Sequence, residues 1–282
     1  MEVKTIGVVG AGQMGAGIAQ VAAQAGFSVI MSDISLELAQ RGLGGVQKFL
    51  TKSVEKGKMS EDDKNAVLKR IKPTANMTEF KECEFIIEAA TENIELKKRI
   101  FKELDAIAKP EAIIATNTSS ISITLLAAQT KRPQKVVGMH FMNPVPLMKL
   151  VELIRGLPTD DEAFAVTKRL SEKMGKTTTV SKDYPGFIVN RILMPMINEA
   201  FYSLMEGVGE PKDIDDGLIL GCNHPMGPLA LADLIGLDTC LAIMTVLHNG
   251  LGDSKYRPCP LLVKYVEAGW LGRKTGRGVY SY

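Results

Sequence analysis

Two textures of hydrophobic and polar positions divide this chain. Over residues 1–183, short apolar runs alternate with amphipathic stretches. The runs at 4–9, 28–31, 85–88, 112–116, 135–141, 148–154 and 177–180 are short and rich in β-branched residues, as strands are. Between them, apolar residues recur at helical spacing over 14–25, 36–55, 61–71, 94–108, 123–129 and 160–174. Asp160, Asp161 and Glu162 open the last of these, where acidic groups suit a positive helix N-terminus. Gly175 follows its end as a C-cap. Strand–helix alternation predicts an α/β unit with a mainly parallel sheet covered on both faces. After residue 183 the strand-like runs stop. Residues 187–206, 211–220, 228–247 and 260–268 read as helices separated by glycine and proline, which predicts an all-α C-terminal domain over 184–282.

The first strand ends in a glycine cluster. Residues 6–15 read Ile-Gly-Val-Val-Gly-Ala-Gly-Gln-Met-Gly, and Asp33 ends the second strand. Gly10 permits the tight turn, Gly12 clears a path for a pyrophosphate, and Gly15 lets the helix sit close on the strand. The helix N-terminus, at Gln13 and Met14, offers free N–H groups and a positive dipole to phosphate. GxGxxG alone is a weak signal. Here a strand precedes it, a helix follows, and an acidic residue comes at the expected distance. This predicts a doubly wound, Rossmann-like domain that binds a dinucleotide. Asp33 can accept hydrogen bonds from ribose hydroxyls and would repel a 2′-phosphate, which favours NAD over NADP.

Composition narrows the partners. The 282 residues carry 34 basic and 32 acidic side chains, a net charge of +2. Such balance points to neither nucleic acid nor an anionic membrane. No run of apolar residues is long enough to span a bilayer, and the first strand begins within a few residues of Met1, so a cytoplasmic protein without a targeting segment is expected. Cys83, Cys222, Cys240 and Cys259 have no metal-ligand spacing and read as reduced thiols; no metal is expected. The C-terminal region is unusually apolar, for example at Leu218, Leu220, Leu234 and Leu241. The excess fits a homodimer surface, with packing against the first domain as the alternative.

Three clusters could carry chemistry. His140 ends a strand in Val-Val-Gly-Met-His-Phe-Met-Asn-Pro, where open α/β sheets place ligands. Strand alternation puts Met148, Leu150, Glu152 and Ile154 on one face. A carboxylate among apolar neighbours is costly unless paired. Paired with His140 it would fix the imidazole tautomer and raise its basicity; otherwise it reaches water at a sheet edge or meets a lysine. Thr116-Asn117-Thr118-Ser119-Ser120 follows another strand. Ser120 or Ser122 can cap the next helix, while Asn117 and Ser119 face the site. Asn190, Arg191, Asn198 and Glu199 interrupt a largely apolar helix. Asn190 is either buried or turned to a cleft, and a buried amide needs partners.

In order and spacing, Gly10–Gly15 with Asp33, Ala-Ala-Thr-Glu-Asn at 89–93, Asn-Thr-Ser-Ser at 117–120, His-Phe-Met-Asn-Pro at 140–144 and Pro-Gly-Phe-Ile-Val-Asn-Arg at 185–191 resemble the L-3-hydroxyacyl-CoA dehydrogenases. The resemblance covers essentially the whole chain, and the length is similar to that of stand-alone bacterial members acting on 3-hydroxybutyryl-CoA. It implies NAD-dependent interconversion of a short-chain (S)-3-hydroxyacyl-CoA and its 3-ketoacyl-CoA, acetoacetyl-CoA in the shortest case. By that likeness His140 is the acid–base, Glu152 its partner, Ser119 a contact to the substrate oxygen, and Asn190 a group holding substrate and histidine in register. The same likeness puts Gly10, Gly12, Gln13, Met14, Gly15, Asp33, Ala90, Glu92, Lys97, Asn117, Asn143 and Lys274 around the cofactor, and Lys52 and Lys56 at the CoA phosphates. Either lysine also reads as part of a solvated basic helix face. Two other readings stay open: a β-hydroxyacid dehydrogenase of similar plan, which would use a lysine in place of the His/Glu pair, and an NAD-binding protein that has lost its chemistry.

Overall fold

A computed structural model describes residues 1–282. The chain falls into two compact units, Met1–Tyr184 and Pro185–Tyr282.

The first unit is built on one eight-stranded sheet: β1 (Thr5–Val9), β2 (Ser28–Ser32), β3 (Ile71–Thr74), β4 (Phe85–Glu88), β5 (Ile113–Thr116), β6 (Val136–Phe141), β7 (Leu150–Arg155) and β8 (Thr177–Lys182). The spatial order is β3-β2-β1-β4-β5-β6-β7-β8. All pairings are parallel except β6 with β7. That exception has a local cause. Only residues 142–149 separate β6 from β7, too few for a helical crossover, so the chain reverses beside itself. β4, β5 and β6 are buried along their whole length, as expected of strands covered on both faces.

Helices α1 (Gln13–Gln24), α2 (Leu36–Glu55), α3 (Glu61–Lys69), α4 (Ile94–Ile107), α5 (Ile123–Ala127) and α6 (Asp161–Lys173) make the crossovers and layers. The strand order reverses between β1 and β4, and the loops after them leave a crevice there, at the carboxyl ends of the strands. The residues at 61–71 do not form one helix. α3 stops at Lys69, and Ile71-Lys-Pro-Thr74 becomes the edge strand β3. Pro73 has no N–H to donate, which suits an edge strand and forbids a helix interior. Met148, placed on the Glu152 face by alternation, lies in the turn before β7 and is exposed.

The second unit is helical: α7 (Val189–Met205), α8 (Pro211–Cys222), α9 (Pro228–Ile235), α10 (Leu237–Leu251) and α11 (Pro260–Glu267). Its core joins Met194, Ile197 and Phe201 to Leu229, Leu237, Met244 and Leu262. The continuous helix expected over 228–247 is broken. Gly236 adopts φ +103°, and α9 and α10 meet at a bend of 99°. Leu237 N–H turns to donate to the Leu271 carbonyl. No single helix in the chain is long and apolar enough to cross a membrane.

Candidate active site

The glycine cluster has the demands of a phosphate loop. Gly10 has φ +94°, and a Cβ there would lie 2.7 Å from the Ala89 carbonyl oxygen. At Gly15 a Cβ would lie 1.8 Å from the Gly10 carbonyl oxygen, so any side chain would push α1 off β1. A Cβ at Gly12 would meet nothing within 4 Å. Side-chain caps close every other α-helix of the first unit: Ser35, Ser60, Asn93, Ser122 and Asp160 each accept from a first-turn N–H. The N-terminus of α1 at Gln13 and Met14 has no side-chain cap. Its orphan N–H groups are the natural seat of an anion.

Beside that terminus runs a groove of about 630 Å³, lined among others by Gly10, Gly12, Asp33, Asn76 and Ala90. Asp33 is tied into the loop. Its Oδ2 accepts from Ala11 N–H at 2.7 Å and its Oδ1 from Ile34 N–H at 2.8 Å. An uncapped helix start, an open Gly12 and a carboxylate on the groove wall fit the phosphates and ribose of a dinucleotide. Asn76 and Met77 were not foreseen here. They enter the groove because β3 carries the chain past β2, and that strand is not among those expected from the sequence.

Lys97 is buried next to this groove, and Glu92 is exposed on the loop that follows Ala90. Lys97 is 1% exposed; its Nζ lies 2.6 Å from Oε1 of the fully buried Glu88, 3.0 Å from the Ala90 carbonyl and 3.6 Å from Glu92 Oε2. Glu88 also accepts from Ala90 N–H and Thr116 Oγ1, each at 2.7 Å. Glu92 Oε1 accepts from Thr118 Oγ1, Ser119 N–H, Ser120 N–H and Ser120 Oγ at 2.5–3.1 Å. One carboxylate thus binds the 89–93 loop to the serine loop after β5. Asn117 Oδ1 accepts from Phe141 N–H at 2.9 Å, tying the end of β5 to the end of β6.

His140 and Glu152 are register partners across β6 and β7. His140 Nδ1 lies 2.8 Å from Glu152 Oε2; the imidazole is 6% exposed and the glutamate is fully buried. Glu152 therefore lies inside the sheet, on a strand flanked by β6 and β8, with His140 as a partner. A carboxylate at Nδ1 favours the tautomer with the proton on that nitrogen.

Two grooves adjoin the loop after β6. One, of about 210 Å³, runs between α1, α2 and the loop at Asn143–Pro146; the other, of about 330 Å³, continues to Lys52, Lys56 and Lys58. They share Gln20, Phe49 and Pro146 as walls. Asn143 is thus at one end of a track and the exposed Lys52 and Lys56 at the other.

In the second unit, Asn190 is buried in the first turn of α7. Phe187 just before it has φ +50°, which delays the helix beyond the predicted start. Asn198 is a structural amide: its Oδ1 accepts from Cys259 N–H at 2.7 Å and its Nδ2 donates to the Arg257 carbonyl at 3.0 Å. Lys274 Nζ lies 2.5 Å from Asp238 Oδ1.

Comparison with known proteins decides the family. Residues 5–184 match the family model described as 3-hydroxyacyl-CoA dehydrogenase, NAD binding domain, and residues 186–282 match its C-terminal domain. The chain belongs to the 3-hydroxyacyl-CoA dehydrogenase family. It is 58% identical over 280 residues to a 3-hydroxybutyryl-CoA dehydrogenase of Bradyrhizobium diazoefficiens, covering 99% of this chain and 96% of that one. It is 58% identical to a probable 3-hydroxybutyryl-CoA dehydrogenase of Bacillus subtilis, over all of this chain and 98% of the other. The crystal structure of (S)-3-hydroxybutyryl-CoA dehydrogenase from Ralstonia eutropha superposes with a TM-score of 0.98 at 54% identity, covering 100% of this chain and 99% of that one. Like its family, this chain is an NAD-dependent dehydrogenase with a Rossmann-like first unit and a helical second one.

Proposed function

We propose that the protein interconverts (S)-3-hydroxybutyryl-CoA and acetoacetyl-CoA, with His140 and Glu152 as its acid–base pair. The observation that carries this is the buried 2.8 Å contact between His140 Nδ1 and Glu152 Oε2 at the carboxyl end of β6. NAD, when bound, supplies the hydride acceptor. The chain supplies the rest. His140 Nε2 takes the C3 hydroxyl proton on oxidation and returns it on reduction. Glu152 steadies the imidazolium, which would otherwise be an unpaired charge in a buried site. Ser119 holds the substrate oxygen, and Asn190 keeps substrate and histidine in register. The uncapped turn at Gln13, Met14 and Gly15 takes the cofactor phosphates and Asp33 its ribose. Ala90, Glu92, Lys97, Asn117, Asn143 and Lys274 complete that side, the buried Lys97 through its hold on the Ala90 carbonyl. The names of the relatives support the four-carbon substrate.

The test is NADH oxidation with acetoacetyl-CoA in a spectrophotometer. Turnover with NADH is expected. No turnover, or a strong preference for NADPH, would overturn this reading.

Lys52 and Lys56 mark the CoA end of the track. A phosphate at the exposed Lys56 is met by a mobile point charge, equally present in ground and transition states. Lys56→Ala is therefore expected to raise the acyl-CoA KM by about five-fold with kcat little changed. A large fall in kcat at constant KM would exclude the role.

The second unit is proposed to form a homodimer. Val208, Leu220 and Leu234 are at least half exposed there, and an isologous contact with a second copy would cover them. Light scattering is expected to give twice the chain mass of 30.6 kDa. A value equal to one chain would refute the dimer.

A further inference from the structure

One carboxylate outside the groups considered so far grips the serine loop from the far side. Asp183 follows directly on β8. Its Oδ1 accepts from Ile123 N–H at 2.9 Å, and its Oδ2 accepts from Ser122 Oγ and Thr124 N–H, each at 2.8 Å. Ser122 Oγ in turn accepts from Leu125 N–H, so a single hydroxyl relays the carboxylate into the first turn of α5.

The contact answers a local need. α5 has only five residues, too few to stand as a helix by its own propensity. Its first N–H groups need acceptors, and Ser122 alone can supply one. Asp183, some 60 residues on, supplies the others. The turn carrying Ser119 is thus held at both ends by carboxylates from other elements. Glu92 binds Thr118, Ser119 and Ser120, and Asp183 binds Ser122, Ile123 and Thr124. Asp183 also stands one residue before Tyr184, where the chain leaves the first unit.

We propose that Asp183 is a positioning residue for Ser119, fixing the downstream end of the loop that aims the serine hydroxyl at the substrate oxygen. This rests on the substrate role given to Ser119 above. Small displacements of a hydrogen-bonding group at a reacting centre cost rate steeply, so the loss belongs in acyl-CoA turnover and leaves the cofactor side unchanged.

The test is a double-mutant cycle on the full-length enzyme, read as kcat/KM for acetoacetyl-CoA, with the KM for NADH followed in parallel. Asp183→Ala alone is expected to lower kcat/KM by about ten-fold, and by less than about two-fold when Ser119 is already alanine. Asp183→Asn keeps the shape and one acceptor oxygen, and should recover part of the loss. Should Asp183→Ala not fold, the Asn variant carries the same comparison in both backgrounds. Equal losses in the two backgrounds, or a raised NADH KM, would overturn the positioning role while leaving Ser119 in place. If Ser119→Ala itself leaves kcat/KM unchanged, the substrate role of Ser119 falls, and this inference falls with it.

Discussion

His140→Ala is expected to lower kcat with acetoacetyl-CoA and NADH by about 10²–10⁴-fold, the usual worth of a positioned acid–base group. The imidazole is 6% exposed, so bulk water cannot readily take its place as proton donor. His140 does not line the groove beside Asp33, so the KM for NADH should change little. A loss in kcat without a loss in cofactor affinity is the signature of a group that acts mainly in the transition state. Steady-state kinetics decide the matter. Activity retained in the alanine variant would remove His140 from the proton transfer.

The largest effect on stability is expected at Lys97. Its ammonium and the Glu88 carboxylate are 1% and 0% exposed and lie 2.6 Å apart. Lys97→Met keeps most of the volume but leaves Glu88 buried with only the Ala90 N–H and the Thr116 hydroxyl as donors. Breaking one side of such a pair costs about 3–5 kcal/mol. For a unit of this size that corresponds to a fall in Tm of about 10 °C. Pairing Lys97→Met with Glu88→Gln removes the stranded charge and should restore at least half of the loss. Thermal denaturation of the two variants measures both. An unchanged Tm for Lys97→Met would mean that the pair is worth no more than its desolvation. The same substitution should also weaken NADH binding, because Lys97 holds the Ala90 carbonyl and Glu92 beside the groove.

The chemistry legible in the sequence was of a particular kind. A turn at φ +94° and a helix touching a strand backbone demand glycine at Gly10 and Gly15, so the phosphate loop announced itself in six residues. A carboxylate at an apolar strand position announced a need for a partner, but not which partner. Glu152 meets His140 because the chain reverses in eight residues and sets one register; a slip of one residue would turn Glu152 to the other face. Short periodic signals failed where tertiary geometry overrode them. The helix expected over 61–71 stops at Lys69 and the unpredicted edge strand β3 follows, and Gly236 broke an expected long helix. The groove residues Asn76 and Met77 follow β3 and were missed with that strand.

Glu92, Lys97 and Asp183 show the limit most clearly. Resemblance placed Glu92 and Lys97 at the cofactor, and nothing in the sequence singled out Asp183. The structure gives Glu92 to the serine loop 26 to 28 residues away, and gives Asp183 to the start of α5 some 60 residues back. By itself, then, the sequence determined the α/β plan and the backbone conformations of the phosphate loop, because sterics and side-chain periodicity act within a few residues. Only the tertiary structure decided which carboxylate holds which loop. A carboxylate accepts whichever donors the packed sheet brings within about 3 Å, whatever their distance along the chain.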